Sequence, residues 1–187
     1  MVAIRSVLLA ILLMGAGAAP ALARMTVTGP FGTGLTEPVW VLQHLLGFLA
    51  IGLWSGQNGC AAVWQLPVAA LTAVLAAGLA AQIGIRLPYA AEGLSASLIV
   101  MGGLVAVALK APLALGVLTV AAAGAFHGYV HMGGPLFWAG LSSGVLLVIC
   151  AGLGLSAVLG QAVSGRVVQM CGGAVALAGV LDLAGVF

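Results

Sequence analysis

The scarcity of charged side chains constrains this chain more than any other feature of its sequence. Its 187 residues include five Lys or Arg and three Asp or Glu, whereas 64% are hydrophobic. In a soluble domain about a quarter of all residues are charged, so this chain has too few charged residues to cover a surface that faces water. We therefore predict an integral membrane protein whose solvent is the lipid bilayer. The net charge of +2 is small and scattered, which argues against a nucleic-acid partner.

Apolar runs separated by short breaks rich in Gly, Pro and polar residues predict a bundle of about six transmembrane helices. Each run is close to the roughly 20 residues that crossing the hydrocarbon core requires, and none alternates as a barrel strand would. The predicted fold class is thus all-α integral membrane, with residues 24–187 forming a single transmembrane domain. The predicted spans are residues 38–55, 61–81, 89–109, 112–131, 136–159 and 166–186.

The N-terminal segment, residues 1–23, has the pattern of a secretory signal peptide. Arg5 supplies a positive charge, residues 7–14 form an apolar core, and Ala21-Leu22-Ala23 is typical of a cleavage site. An uncleaved first helix is the alternative. Cleavage after Ala23 would place both ends of the mature chain outside the cytoplasm, in a multi-pass protein of the bacterial inner membrane.

Under that topology every acid and every histidine falls in the outer half of the membrane. These residues are Glu37, His44, Glu92, His127, His131 and Asp182. Ionisable groups inside a membrane are costly and are candidates for a functional site, although a single one at a helix end is often only interfacial. We interpret Asp182 as interfacial or as a helix-packing partner.

The spacing of the other five residues predicts a site for a divalent transition metal. Glu37 and His44 are seven residues apart and share one helix face, and His127 and His131, at positions i and i+4, share another. Glu92 adds a carboxylate from the third span. Imidazole nitrogen combined with carboxylate oxygen suits Ni, Co, Zn or Cu and does not suit Mg or Ca.

Pairs of glycines spaced four residues apart predict close packing between helices. Gly124 and Gly128 form one such pair, and Gly140 and Gly144 form another. In lipid, small residues let helix backbones approach each other. Because the pattern is common in membrane proteins, we interpret both pairs as packing positions within the bundle.

Three segments resemble the HupE/UreJ family of nickel/cobalt permeases. Residues 37–54 are similar to the signature H-P-x-x-G-x-D-H-x-x-x-M-x-x-x-G. Residues 87–92, followed by Ser95 and Ser97, are similar to its P-x-x-E block with a downstream serine, with one more residue between Pro88 and Glu92. Residues 126–131, F-H-G-Y-V-H, resemble its F-H-G-Y-A-H block. The segments occur in the family's order, so the resemblance covers most of the chain.

The resemblance implies a secondary permease or facilitator for Ni²⁺ or Co²⁺ that supplies hydrogenase or urease maturation proteins. The metal would be cargo, and no catalytic residue or prosthetic group is implied. His44, Glu92, His127 and His131 match motif positions and would inherit a metal role.

The sequence also departs from the family signature. Glu37 stands where the family has His, Gln43 where it has Asp, and Phe48 where it has Met; the residues after His131 lack the usual acid. These changes favour, as an alternative, a non-transporting accessory protein with an eroded metal site. A membrane enzyme is the weakest hypothesis, because no nucleophile and base are recognisable in the sequence.

Overall fold

The computed structural model describes residues 29–186, and all regular secondary structure within them is α-helical. This confirms the predicted all-α fold class for the described part of the chain. The helices are α1 Pro30–Trp40, α2 Leu42–Asn58, α3 Ala62–Gln82, α4 Ala90–Ala106, α5 Leu113–Tyr129, α6 Pro135–Ala162 and α7 Gly165–Leu183. The predicted signal peptide, residues 1–23, lies outside the described residues and stays a prediction.

Three of these helices, α3, α6 and α7, are long and apolar enough to cross a membrane. If α1 and α2 together form one bent span, the number of candidate spans is four. Helices α4 and α5 are apolar but have 17 residues each, which makes them about 26 Å long. That length is at the lower limit of what a span requires. The described structure therefore supports several membrane-crossing helices, and the number six stays a prediction.

The first predicted span, residues 38–55, differs most from the structure, which has two helices meeting at a 76° bend. Val41, between α1 and α2, has an extended backbone (φ −94°, ψ 110°). The polar, glycine-rich stretch before residue 38 is helical from Pro30 onward. Its hydroxyls are satisfied within the helix, since Thr33 and Thr36 donate to the carbonyls of Gly29 and Gly32.

Helix α2 is the centre of the bundle and contacts every other described helix. Phe48 and Ile51 are fully buried, and the buried Trp54 donates its indole N–H to the Leu109 carbonyl at 2.9 Å. The outer faces carry exposed apolar side chains, of which Leu118 and Leu147 are about two-thirds exposed (65% and 64%). An apolar core inside an exterior that also carries many large apolar side chains fits a protein solvated by lipid.

Both glycine pairs pack helix against helix, as predicted. Gly124 and Gly128 of α5 lie against the backbone of α3, where a Cβ at position 124 would stand 2.6 Å from the Ala70 carbonyl oxygen. Gly140 and Gly144 of α6 lie against the backbone of α1 in the same way. The missing side chains let these helices approach so closely that backbone meets backbone.

Candidate metal site

The bend between α1 and α2 brings together two residues that a straight helix would hold apart. Seven helical residues span about 10 Å along the axis. Because the chain turns at Val41, the Glu37 Oε1 and His44 Nε2 atoms lie 4.0 Å apart instead. His127 in the last turn of α5 and His131 just after that helix complete a cluster at this end of the bundle.

One ligand atom from each of Glu37, His44 and His131 converges in the cluster, and all three lie within 4.8 Å of one another. The His131 Nδ1 atom is 3.5 Å from Glu37 Oε1. His44 and His131 are buried, with 2% and 5% of their surface exposed, whereas Glu37 is 21% exposed. The carboxylate therefore forms the accessible side of the cluster and the imidazoles its floor.

His127 lies deeper than the other two histidines and has no exposed surface. Its Nδ1 is 2.9 Å from His44 Nδ1, and its Nε2 is 3.0 Å from the Ser97 hydroxyl of α4. Gly47 makes room for the ring, since a Cβ there would lie 2.5 Å from the His127 ring atoms. Both ring nitrogens of His127 thus already have partners within the protein.

His131 differs from His127 in keeping an unsatisfied nitrogen. Its Nε2 is buried and has no hydrogen-bond partner among the described residues. Leaving a buried polar atom unpaired is unfavourable, and native proteins hold few such atoms outside sites that bind something. This unpaired nitrogen is not the one that faces Glu37, which is Nδ1, so it is a separate feature of the ring and is not one of the converging atoms.

The donor set fits a divalent transition metal. Two imidazole nitrogens and one carboxylate oxygen suit Ni, Co or Zn, and metal–ligand bonds of about 2 Å set ligand–ligand distances of about 3–4 Å. The Glu37–His131 and Glu37–His44 separations of 3.5 and 4.0 Å already lie in that range. Three protein ligands leave at least one coordination position open, which favours exchange of the ion over permanent retention.

Glu92 is not brought to this cluster. It is exposed in the first turn of α4, and α4 reaches the histidines through Ser97 instead. Residues five apart on a helix point about 140° away from each other. Since Ser97 faces the histidines, Glu92 faces elsewhere, so the sequence-based grouping of Glu92 with the histidines has no geometric support in the structure.

Asp182 packs one helix against others, which is one of the two roles that the sequence allowed. Its Oδ1 accepts a hydrogen bond from Gln43 Nε2 at 3.0 Å, and its Oδ2 accepts one from Ser95 Oγ at 2.7 Å. The half-buried carboxylate thereby joins α2, α4 and α7 beside the metal-site helices. No spacing rule in the sequence could have found this contact, because Gln43 and Asp182 are 139 residues apart.

Comparisons with known proteins agree with the sequence motifs. The family model described as HupE / UreJ protein matches residues 8–181. Protein HupE of Rhizobium leguminosarum bv. viciae is 30% identical over 159 residues, which cover 81% of this chain and 83% of that protein. No solved structure matches the chain.

Proposed function

Because the chain belongs to the HupE/UreJ family, we propose that it is a secondary permease or facilitator for Ni²⁺, or Co²⁺, in the bacterial inner membrane. In this proposal the ion is cargo and is delivered to hydrogenase or urease maturation proteins. Residues 1–23 are a signal peptide, and residues 24–187 form one domain of about six spans. The metal ligands are Glu37, His44 and His131.

The observation that carries the proposal is the convergence of Glu37, His44 and His131 within 4.8 Å. The cluster is formed by helix ends in an otherwise apolar bundle, where uncompensated polar groups are costly and usually functional. The partly exposed carboxylate attracts a cation from outside the cluster, and the buried imidazoles then offer nitrogen ligands, which suit a transition metal.

Uptake of ⁶³Ni²⁺ by cells expressing the chain tests the transport function. We expect uptake above that of cells without the protein, and its loss in His44→Ala, which removes a central ligand. Thr72→Val is the matched control, since the exposed Thr72 hydroxyl bonds only to the Val68 carbonyl of its own helix. Equal uptake by wild type and His44→Ala would contradict the proposal.

The changed signature favours a second candidate function, that of an accessory protein that binds metal without transporting it across the membrane. The observation that favours it is the lack of a carboxylate at Gln43 and after His131, where the family motif has acids. Purified protein that binds Ni²⁺ while cells expressing it show no uptake would favour this second function over transport.

The topology follows from the predicted signal peptide and an even number of spans. We expect both ends of the mature chain outside the cytoplasm, so alkaline phosphatase fused after Phe187 should be active. A fluorescent protein fused at the same position, which matures only in the cytoplasm, should stay dark. The reverse pattern would overturn the topology.

Metal binding is expected to depend on pH, because protons and metal ions compete for the same imidazole lone pairs. Affinity for Ni²⁺ should fall once the pH is low enough for protons to occupy these imidazoles in place of the ion. Equilibrium dialysis of purified protein measures this. Affinity that does not fall even at the lowest pH at which the protein stays folded would show that the histidines do not bind the ion.

A further inference from the structure

We propose that Ser97 and His127 are positioning residues that hold the His44 ring with its Nε2 lone pair facing the metal, and that His127 is not itself a ligand. This inference rests on the proposed metal site and assigns its parts. A chain of hydrogen bonds connects the Leu94 carbonyl, Ser97, His127 and His44. Which group donates at each step decides which nitrogen of His44 has a lone pair available for a metal.

The direction is set at Ser97, whose hydroxyl has a single proton and two neighbours. The Leu94 carbonyl oxygen is 2.6 Å from the Ser97 Oγ, whereas the His127 Nε2 is 3.0 Å away. A carbonyl oxygen can only accept, so the closer contact takes the hydroxyl proton. The Ser97 oxygen then accepts from His127, which requires a proton on His127 Nε2.

The remaining steps follow from the chemistry of neutral imidazole, in which one nitrogen donates and the other accepts. With a proton on Nε2, His127 has a lone pair on Nδ1. That lone pair accepts from His44 Nδ1–H, 2.9 Å away. His44 then has its own lone pair on Nε2, the nitrogen that faces Glu37 Oε1 at 4.0 Å.

The opposite direction would disable the site. If Ser97 donated to His127, then His127 would donate to His44, and His44 Nε2 would carry a proton instead of a lone pair. A protonated nitrogen cannot bind a metal. Metal-binding histidines commonly donate their second ring N–H to a protein acceptor, which fixes the tautomer and the ring orientation. Here the acceptor is another imidazole, held in turn by a serine.

Nitrogen-15 NMR of histidine-labelled protein in detergent, without metal, tests the direction. We expect a proton on Nδ1 of His44 and on Nε2 of His127 at neutral pH, with signals assigned from single-histidine replacements. Ser97→Ala should shift the His127 signals toward a mixture of tautomers, because the acceptor for its Nε2–H is lost. A proton on Nε2 of His44 in the wild type would overturn the inference.

Ni²⁺ affinity tests whether His127 is a ligand or a positioning residue. The Asn amide oxygen can take the place of Nδ1 and still accept from His44, whereas Leu offers no acceptor. We expect His127→Leu to weaken binding about 10- to 100-fold, as for other outer partners of metal ligands, and His127→Asn to keep most of the affinity. Equal losses in the two variants would show that His127 binds the metal directly.

Serine variants of α4 provide the matched comparison. We expect Ser97→Ala to weaken Ni²⁺ binding about 10-fold and Ser95→Ala to leave it unchanged, since the Ser95 hydroxyl bonds to Asp182 instead. Equal affinities in both variants would contradict the positioning role of Ser97. A wild-type protein that binds no Ni²⁺ would defeat the proposed function, whereas the NMR experiment on metal-free protein would still decide the direction of the hydrogen bonds.

Discussion

Replacing His131 with alanine is expected to lower the affinity of the purified protein for Ni²⁺ at least about 100-fold. His131 supplies one of three converging ligand atoms, 3.5 Å from Glu37 Oε1, and its ring is buried. Loss of an outer partner of a ligand already costs 10- to 100-fold, so loss of the ligand itself should cost more. Isothermal titration calorimetry in detergent measures the change.

Glu92→Gln is the control for that experiment, because sequence and structure disagree about Glu92. The sequence motif groups Glu92 with the histidines, whereas the structure places it exposed in the first turn of α4. We expect the affinity of this variant for Ni²⁺ to stay within about twofold of wild type, since an exposed carboxylate outside the cluster contributes only a screened charge. A loss as large as that of His131→Ala would mean that Glu92 joins the site when metal is bound.

Gly128→Ala is expected to destabilise the bundle strongly, by about 1–3 kcal/mol, which is typical of overpacking. A Cβ at Gly128 would collide with the carbonyl oxygen and Cα of Val74 in α3. Backbone atoms cannot rotate away as a side chain can, so α3 and α5 would have to separate. Because His127 and His131 flank this glycine in sequence, Ni²⁺ binding should weaken together with thermal stability.

Gly173→Ala is the matched control, since a Cβ there would meet no atom within 4 Å. Alanine favours a helix over glycine by up to about 1 kcal/mol, so this variant should be neutral or slightly more stable. The loss of folded protein on heating, followed by size-exclusion chromatography in detergent, compares the two variants. Equal melting temperatures for both would show that the α3–α5 contact does not limit stability.

The helices after the first predicted span could be predicted from sequence. The ends of α3 to α7 lie within three residues of the predicted boundaries. Long apolar runs cannot satisfy their backbone in lipid unless they form helices, and Gly, Pro and polar residues end them. The region around Glu37 escaped prediction because its glycines and threonines are typical of a loop, and only packing against α6 makes it helical.

The altered signature shows how the same residue is interpreted differently in sequence and in structure. By sequence, Gln43 stands where the family signature has an aspartate, and changing Glu37 to His together with Gln43 to Asp would restore that signature. In the structure the Gln43 amide donates to Asp182, so a carboxylate at position 43 would face another carboxylate. Like charges in contact repel strongly where water is scarce, and the negative charge absent at position 43 is present on α7.

The sequence by itself determined the solvent, the helical class and the residue types of the site. Near-absence of charge requires lipid, and imidazole with carboxylate is the donor combination that suits a transition metal. The expectation that His127 and His131 share one helix face was wrong, because α5 ends at Tyr129 and His131 follows it. The tertiary structure alone decided the turn at Val41, the exposed position of Glu92 and the chain of hydrogen bonds from Ser97 to His44. Sequence periodicity reports neighbours along one helix, whereas contacts between helices depend on how each is rotated and bent by the packing of all the others.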